Sequence, residues 1–143
     1  PMIRACPSCE QKNRVPPARL ADTGVCGRCK GVLPALDEPL DVDASAFDEI
    51  VRGAKVPILV DFWASWCAPC RAVAPQVKSV ARSMRGRALV LKVDTEQSGA
   101  VAARYGVQGI PSFVVLHRGE VVSQQAGAVD AQTMMTWLAR AGA

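Results

Sequence analysis

All six cysteines of this chain stand in C-x-x-C pairs, Cys6/Cys9, Cys26/Cys29 and Cys67/Cys70, and the first two pairs lie in a stretch that cannot build a core of its own. From residue 1 to 36 apolar residues are sparse, and neither a helical nor an alternating period is sustained. A unit of that size needs a staple. The spacing C-x2-C, sixteen residues, C-x2-C falls in the range of four-thiolate zinc sites. The runs Ala5-Cys-Pro-Ser-Cys-Glu and Val25-Cys-Gly-Arg-Cys-Lys also resemble each other. Each reads as a tight turn. Two such turns present four sulfurs to one tetrahedral ion, which takes the place of a hydrophobic core. The expectation is a structural Zn2+ held by Cys6, Cys9, Cys26 and Cys29, with a tetrathiolate iron site or two disulfides fitting the same spacing. Four protein ligands close the coordination sphere, which argues against metal catalysis there.

Charge is unevenly placed. Residues 1 to 36 hold six Lys/Arg and two Asp/Glu, whereas residues 37 to 143 hold eleven of each. A basic segment can serve nucleic acid, but this one has no aromatic side chain for base stacking. Four thiolates around one Zn2+ would also bring about −2 of charge. A solvated, slightly basic surface is the plainer reading. No apolar run approaches the roughly 20 residues that span a bilayer. The first 36 residues hold no continuous apolar segment of the signal-peptide kind, being interrupted by Arg4, Glu10, Lys12, Arg14 and Arg19. The expectation is a reducing, cytoplasmic location, where cysteines point to metal or redox chemistry.

Past the linker-like Pro34-Ala-Leu-Asp-Glu-Pro39 the pattern changes, so the chain divides into a small unit over 1–36 and an α/β domain over 37–143. A helix opens on Asp43, places Phe47, Ile50 and Val51 on one face and ends at Gly53. Pro57 to Trp63 is a nearly unbroken apolar run, as in a strand buried on both faces. Residues 67–84 have helical spacing through Val73, Val77, Val80, Ala81 and Met84, with Pro75 inside. A second buried strand covers 88–94, a short helix 99–105 and a third strand 112–117. Arg118-Gly119-Glu120 turns into a strand over 121–126, and Asp130 caps a last helix containing Met134, Trp137 and Leu138. The result is β-α-β followed by an antiparallel ending.

The third cysteine pair sits where the first of these strands hands over to a helix. Cys67 is expected in the first helical turn, where unpaired N–H groups and the helix dipole favour a thiolate. Cys70, one turn on, faces the same side and is expected to be less exposed. One cysteine can then attack while the other resolves. Pro69 is tolerated because a first-turn N–H has no helical partner. No further cysteine pair lies near enough in sequence to make this a third metal knuckle. Asp61 is an acid in an otherwise apolar strand; burial would raise its pKa into the range useful for proton transfer, and a carboxylate bonded to backbone is the alternative. Trp66 reads as contact surface, Trp63 and Trp137 as packing.

Trp66-Cys67-Ala68-Pro69-Cys70, preceded by Val60-Asp61-Phe62-Trp63, resembles the thioredoxin family. The likeness continues through Lys92, Tyr105-Gly106-Val107, Gly109-Ile110-Pro111, Gly119 and Ala126-Gly127-Ala128. Asn13-Arg14-Val15-Pro16, Arg19-Leu20 and Cys26-Gly27-Arg28-Cys29 are similar to the thioredoxin 2 type, which carries a zinc-binding extension. The resemblance implies a thioredoxin fold, a central mixed β-sheet flanked by helices, with a small N-terminal zinc ribbon. It implies a protein disulfide reductase in which Cys67 attacks, Cys70 resolves, Asp61 takes a proton and Lys92 neighbours Asp61. It also implies a cis-Pro111, and a substrate surface of Trp66, Ala68, Pro69, Gly109, Ile110, Pro111 and Gly127, with the Ile110 backbone pairing with an extended segment. Ala68 stands where the family usually has glycine. Electrons would come from an NADPH-dependent thioredoxin reductase; the chain holds no glycine-rich dinucleotide fingerprint, so no directly bound nicotinamide or flavin is expected. A nucleic-acid-binding ribbon, and a redox-switched chaperone or sensor whose thiols release zinc on oxidation, are the competing classes.

Overall fold

The computed structural model describes residues 2–143. The N-terminal cysteine pairs sit in the turns of two small hairpins. β1 (Met2–Ala5) pairs antiparallel with β2 (Lys12–Val15), and β3 (Gly24–Val25) with β4 (Val32–Leu33). The turns close identically. Cys6 donates its N–H to the Gln11 carbonyl and accepts from the Glu10 N–H, just as Cys26 donates to Gly31 and accepts from Lys30. Glu10 and Lys30, each following the second cysteine of its pair, both lie in the left-handed region, at φ 65° and 64°. The sequence repeat is therefore a repeat of backbone geometry.

The ribbon does not stand apart from the rest, as a metal replacing a core would have it. Val15, Leu20, Ala21 and Leu33 are buried in one cluster with Phe47 and Ile50 of the first α-helix. The linker-like stretch is fastened too: Ala35 is buried, and the Leu36 N–H donates to the Leu20 carbonyl at 3.0 Å. A 3-10 turn over Pro17–Arg19, between the hairpins, comes so close to Gly53 that a Cβ there would stand 2.9 Å from the Pro17 Cβ. Local sequence concealed this because four apolar residues scattered over 36 show no period; their burial depends on a helix further along the chain.

The remaining elements are β5 (Leu40–Asp41), α1 (Ala44–Gly53), β6 (Ile58–Trp63), α2 (Ala68–Ser83), β7 (Leu89–Asp94), α3 (Gly99–Arg104), β8 (Ser112–His117), β9 (Glu120–Ala126) and α4 (Ala131–Arg140). They form one sheet in the order β5-β7-β6-β8-β9, with β5 and β6 both parallel to β7, β8 antiparallel to β6, and β9 antiparallel to β8. Asp43 and Asp130 cap α1 and α4, each accepting a backbone N–H at 2.8 Å. Arg118 and Gly119, at φ 54° and 82°, supply the two left-handed residues that a tight β8–β9 turn requires. β5 lies between the expected linker, 34–39, and the helix opening at Asp43, where no element is expected, because two residues are too few to show alternation.

β6 is bonded on both edges and covered on both faces, which explains its apolar run. Val60 and Phe62 face α1 and α3, whereas Leu59 packs with Val73, Val77 and Val80 of α2 and with Met134 and Leu138 of α4. Side chains alternate along a strand. Asp61 and Trp63 therefore share the Leu59 face, on the α2 side.

Candidate active site and metal centre

Cys67 and Cys70 form a disulfide with Cα atoms 5.3 Å apart. Cys67 is the N-cap of α2, one residue earlier than expected: its backbone is extended and its sulfur accepts the Cys70 N–H at 3.1 Å. After reduction a thiolate at that sulfur would lie against an otherwise orphaned N–H and the positive end of a 16-residue helix. On the other flank the Ile110 carbonyl lies 3.8 Å from the Cys67 sulfur, and the Ile110–Pro111 peptide bond is cis. The Gly127 N–H donates to the Pro111 carbonyl at 2.8 Å, tying that loop to the end of β9.

Exposure departs from expectation. Cys67 is 3% exposed and Cys70 4%, so neither is the open member of the pair. The N-cap position turns the Cys67 sulfur inward, and Trp63, Ala64 and Ile110 pack around the disulfide. An exposed rim surrounds it instead: Trp66, Ala68, Pro69, Gly109 and Gly127. Trp66 is 65% exposed. Its indole N–H donates to the Glu96 carboxylate. Glu96, in the loop after β7, escaped the sequence reading because its role depends on a tryptophan 30 residues away.

Asp61 is 1% exposed, and its Oδ1 has no hydrogen-bond partner among the described residues. A backbone-bonded carboxylate is thus set aside for that oxygen. Burial pushes its pKa up to about 7 against the opposing pull of Lys92, and the Asp41 charge adds to the rise. Lys92 stands opposite Asp61 in the β6–β7 register. Its ammonium lies 4.6 Å from the centroid of the Trp63 ring.

In the ribbon, the sulfurs of Cys6, Cys9, Cys26 and Cys29 all lie within 4.8 Å of one another. The Cys6–Cys29 and Cys9–Cys26 separations, 3.6 and 3.7 Å, match the edge of about 3.8 Å that Zn–S bonds of about 2.3 Å give a tetrahedron. Backbone N–H groups of Ser8, Arg28 and Gly31 point at the Cys6, Cys26 and Cys29 sulfurs at 3.4, 3.4 and 3.3 Å. Asn13 adds a side-chain donor to Cys26 and accepts the Gly27 N–H. The backbone N–H of Cys29, with that of Arg28 and the Asn13 amide, lowers Cys26 to about 6, whereas Cys29 is pushed up to about 11, its Gly31 N–H being outweighed by the neighbouring thiols Cys9 and Cys6 together with burial. Four sulfurs this close cannot all ionise without a cation among them. The donor set fits a divalent, thiophilic ion.

Residues 38–140 match the family model described as Thioredoxin, and residues 5–31 match the one described as Thioredoxin 2, N-terminal, a zinc ribbon. The chain belongs to the thioredoxin family. Its second match makes it the thioredoxin 2 type. Thioredoxin C-3 of Corynebacterium nephridii is 34% identical over 137 residues, 96% of this chain and 93% of that protein. Thioredoxin 1 of Chlorobaculum tepidum is 42% identical over 91 residues, 64% of this chain and 90% of its own. Among solved structures, a mutant thioredoxin from Halobacterium salinarum superposes with a TM-score of 0.67 at 32% identity, covering 73% of this chain and 90% of that one. A thioredoxin with a C-x-x-C disulfide at a helix N-terminus is a thiol-disulfide oxidoreductase. Among the described residues no helix is long and apolar enough to cross a membrane.

Proposed function

We propose that this thioredoxin is a cytoplasmic protein disulfide reductase with a two-part chain, a structural zinc ribbon over 1–36 and a catalytic domain over 37–143. The observation that carries the reading is the Cys67 sulfur, capping α2 beneath an exposed rim and bonded to a partner one turn away. In the reduced protein the Cys67 thiolate attacks one sulfur of a protein disulfide. A Cys67–substrate bond forms, and the other substrate sulfur leaves as a thiolate. Cys70 then attacks Cys67: the Cys67–Cys70 bond forms, the mixed disulfide breaks, and its electron pair departs on the second substrate sulfur. The Cys70 proton needs an acceptor within the fold, and Asp61, buried on the α2 side with a pKa near neutrality, suits that task. Lys92 moderates its charge.

Trp66, Ala68, Pro69, Gly109 and Gly127 form the surface against which a substrate lies, while Ile110 offers backbone groups for an extended segment beside cis-Pro111. Cys6, Cys9, Cys26 and Cys29 would hold Zn2+, which supplies no chemistry to the dithiol and fastens the two hairpins together. Reducing equivalents come from an NADPH-dependent thioredoxin reductase. The test is insulin reduction coupled to NADPH and thioredoxin reductase, with metal analysis on the same sample. Cys67→Ser is expected to abolish turnover, Cys70→Ser to accumulate mixed disulfide, and wild type to carry one zinc per chain. Full activity in Cys67→Ser would end the reading.

A further inference from the structure

Asp41 is the outer end of a row of charges that crosses the sheet. On β5 it is the register partner of Lys92 on β7, which is in turn the register partner of Asp61 on β6. Register partners share a face, so all three belong to the α2 side, two strand spacings or about 10 Å from end to end. Exposure grades along the row: Asp41 is exposed, Lys92 half-buried and Asp61 buried. A cavity of about 380 Å3 beside Asp41 is walled by Lys92 and Trp63, with Val42, Asp43, Asp94 and Gln97 completing its lining. The Lys92 ammonium is committed to neither acid of the row. It rests over the Trp63 ring, which itself packs against the Cys67–Cys70 cluster, and it forms no ion pair among the described residues.

We propose that Asp41 is a positioning residue for the proton step: from the far side of Lys92 its carboxylate offsets the pull of that ammonium on Asp61 and so keeps Asp61 basic enough to take the Cys70 proton. This rests on the disulfide-reductase reading above. A lysine drawn wholly onto Asp61 would favour its carboxylate and make it a poorer base. A second carboxylate on the far side of the lysine divides that pull. The neighbouring elements offer few competitors. The charges that act on Asp61 are those of Lys92 and Asp41, while α2 and α4 pack apolar side chains on that face and β8 and β9 continue the row with Phe113 and Gln125. Around Lys92 the other acids are Asp43 and Asp94, which share its cavity. In the step itself the Cys70 S–H proton passes to Asp61 as the Cys67–Cys70 bond forms and the substrate sulfur leaves with the electron pair; Asp61 later returns the proton to solvent.

The experiment is an NMR titration of the Asp61 carboxyl carbon in the reduced full-length protein, run beside single-turnover resolution of a mixed disulfide across pH. Asp41→Asn is expected to lower the Asp61 midpoint by roughly 0.5 pH unit, the effect of one like charge about 10 Å away through a partly aqueous path. The rate profile should move by the same amount, Asp41→Glu should restore both, and Asp41→Asn should do nothing to the profile of an Asp61→Asn protein. An Asp61 midpoint unmoved by Asp41→Asn overturns the positioning role. A rate profile that keeps its limb in Asp61→Asn overturns the proton step of the reductase reading instead, and the two failures are told apart by which variant shows them.

Discussion

The burial of Asp61 carries a thermodynamic cost beside the proton-accepting role proposed for it. Its pKa in the fold, about 7, lies above the roughly 3.9 of an unfolded aspartate, so between those values the folded chain binds the extra proton. Stability therefore falls as pH rises through that window, by about 4 kcal/mol once both forms are ionised. Asp61→Asn should abolish this slope. Urea melts of the oxidised protein are expected to show the variant more stable than wild type at pH 8 and no better at pH 4. The same change should slow mixed-disulfide resolution by roughly 100-fold, since a positioned base is worth that much. Equal melts at both pH values would mean that the carboxyl is solvated. The identity of Asp61 was legible in the sequence because an acid interrupts an apolar strand. The burial of Cys67 was not, because its cover comes from Ile110, 43 residues away, and from its own inward turn as an N-cap.

At the level of elements, sequence marks regular structure where period and caps agree, as at α1 and α4 with Asp43 and Asp130, and at β6 with its unbroken apolar run. It is silent where an element has two residues, as in β3, β4 and β5, or where the backbone bends against its residue type. The knuckles show the second case. Glu10 holds a left-handed conformation that costs a side-chain-bearing residue about 1 kcal/mol or more. Glu10→Gly is expected to stabilise the ribbon by several tenths to about 1 kcal/mol and to slow zinc loss to a chelator, whereas Glu10→Val should hasten it. No change in either variant would show that the turn is free to relax. Ala68 makes the opposite case at the N-terminus of α2, where it is exposed and helical. Replacing it with the family's more usual glycine removes no packing but up to about 1 kcal/mol of helix propensity. Calorimetry of Ala68→Gly in the oxidised state should show a melting temperature about 2 to 4 °C lower.

Across the whole molecule, the ribbon and the disulfide occupy opposite ends of the sheet. Pro17 packs against Gly53, at the end of α1 that leads into β6, and the Ala21 carbonyl lies 3.8 Å from where a Cβ on Gly86 would stand, in the turn that leads into β7. Cys67 follows the far end of β6, whose six residues span about 20 Å. The four-cysteine site is thus joined to the rest through Val15, Leu20, Ala21 and Leu33 in the core shared with α1, whereas the dithiol packs, among the described residues, with Trp63, Ala64 and Ile110. Loss of metal should therefore be felt as stability and hardly as chemistry. Stripping zinc under reducing conditions is expected to lower a single cooperative melting transition, because unfastening the hairpins loosens four buried side chains of the common core. At 25 °C, where the main sheet stays folded, steady-state DTNB turnover driven by NADPH and thioredoxin reductase, read after the burst from the freed ribbon thiols, should change less than about 2-fold, because the helix N-terminus and cis-Pro loop around Cys67 are untouched. Two separate transitions in the metal-loaded protein would show the ribbon to be an independent unit. A loss of DTNB reduction that tracks zinc release while near-ultraviolet dichroism stays native would instead couple the metal to the dithiol, which is what a redox-switched sensor requires.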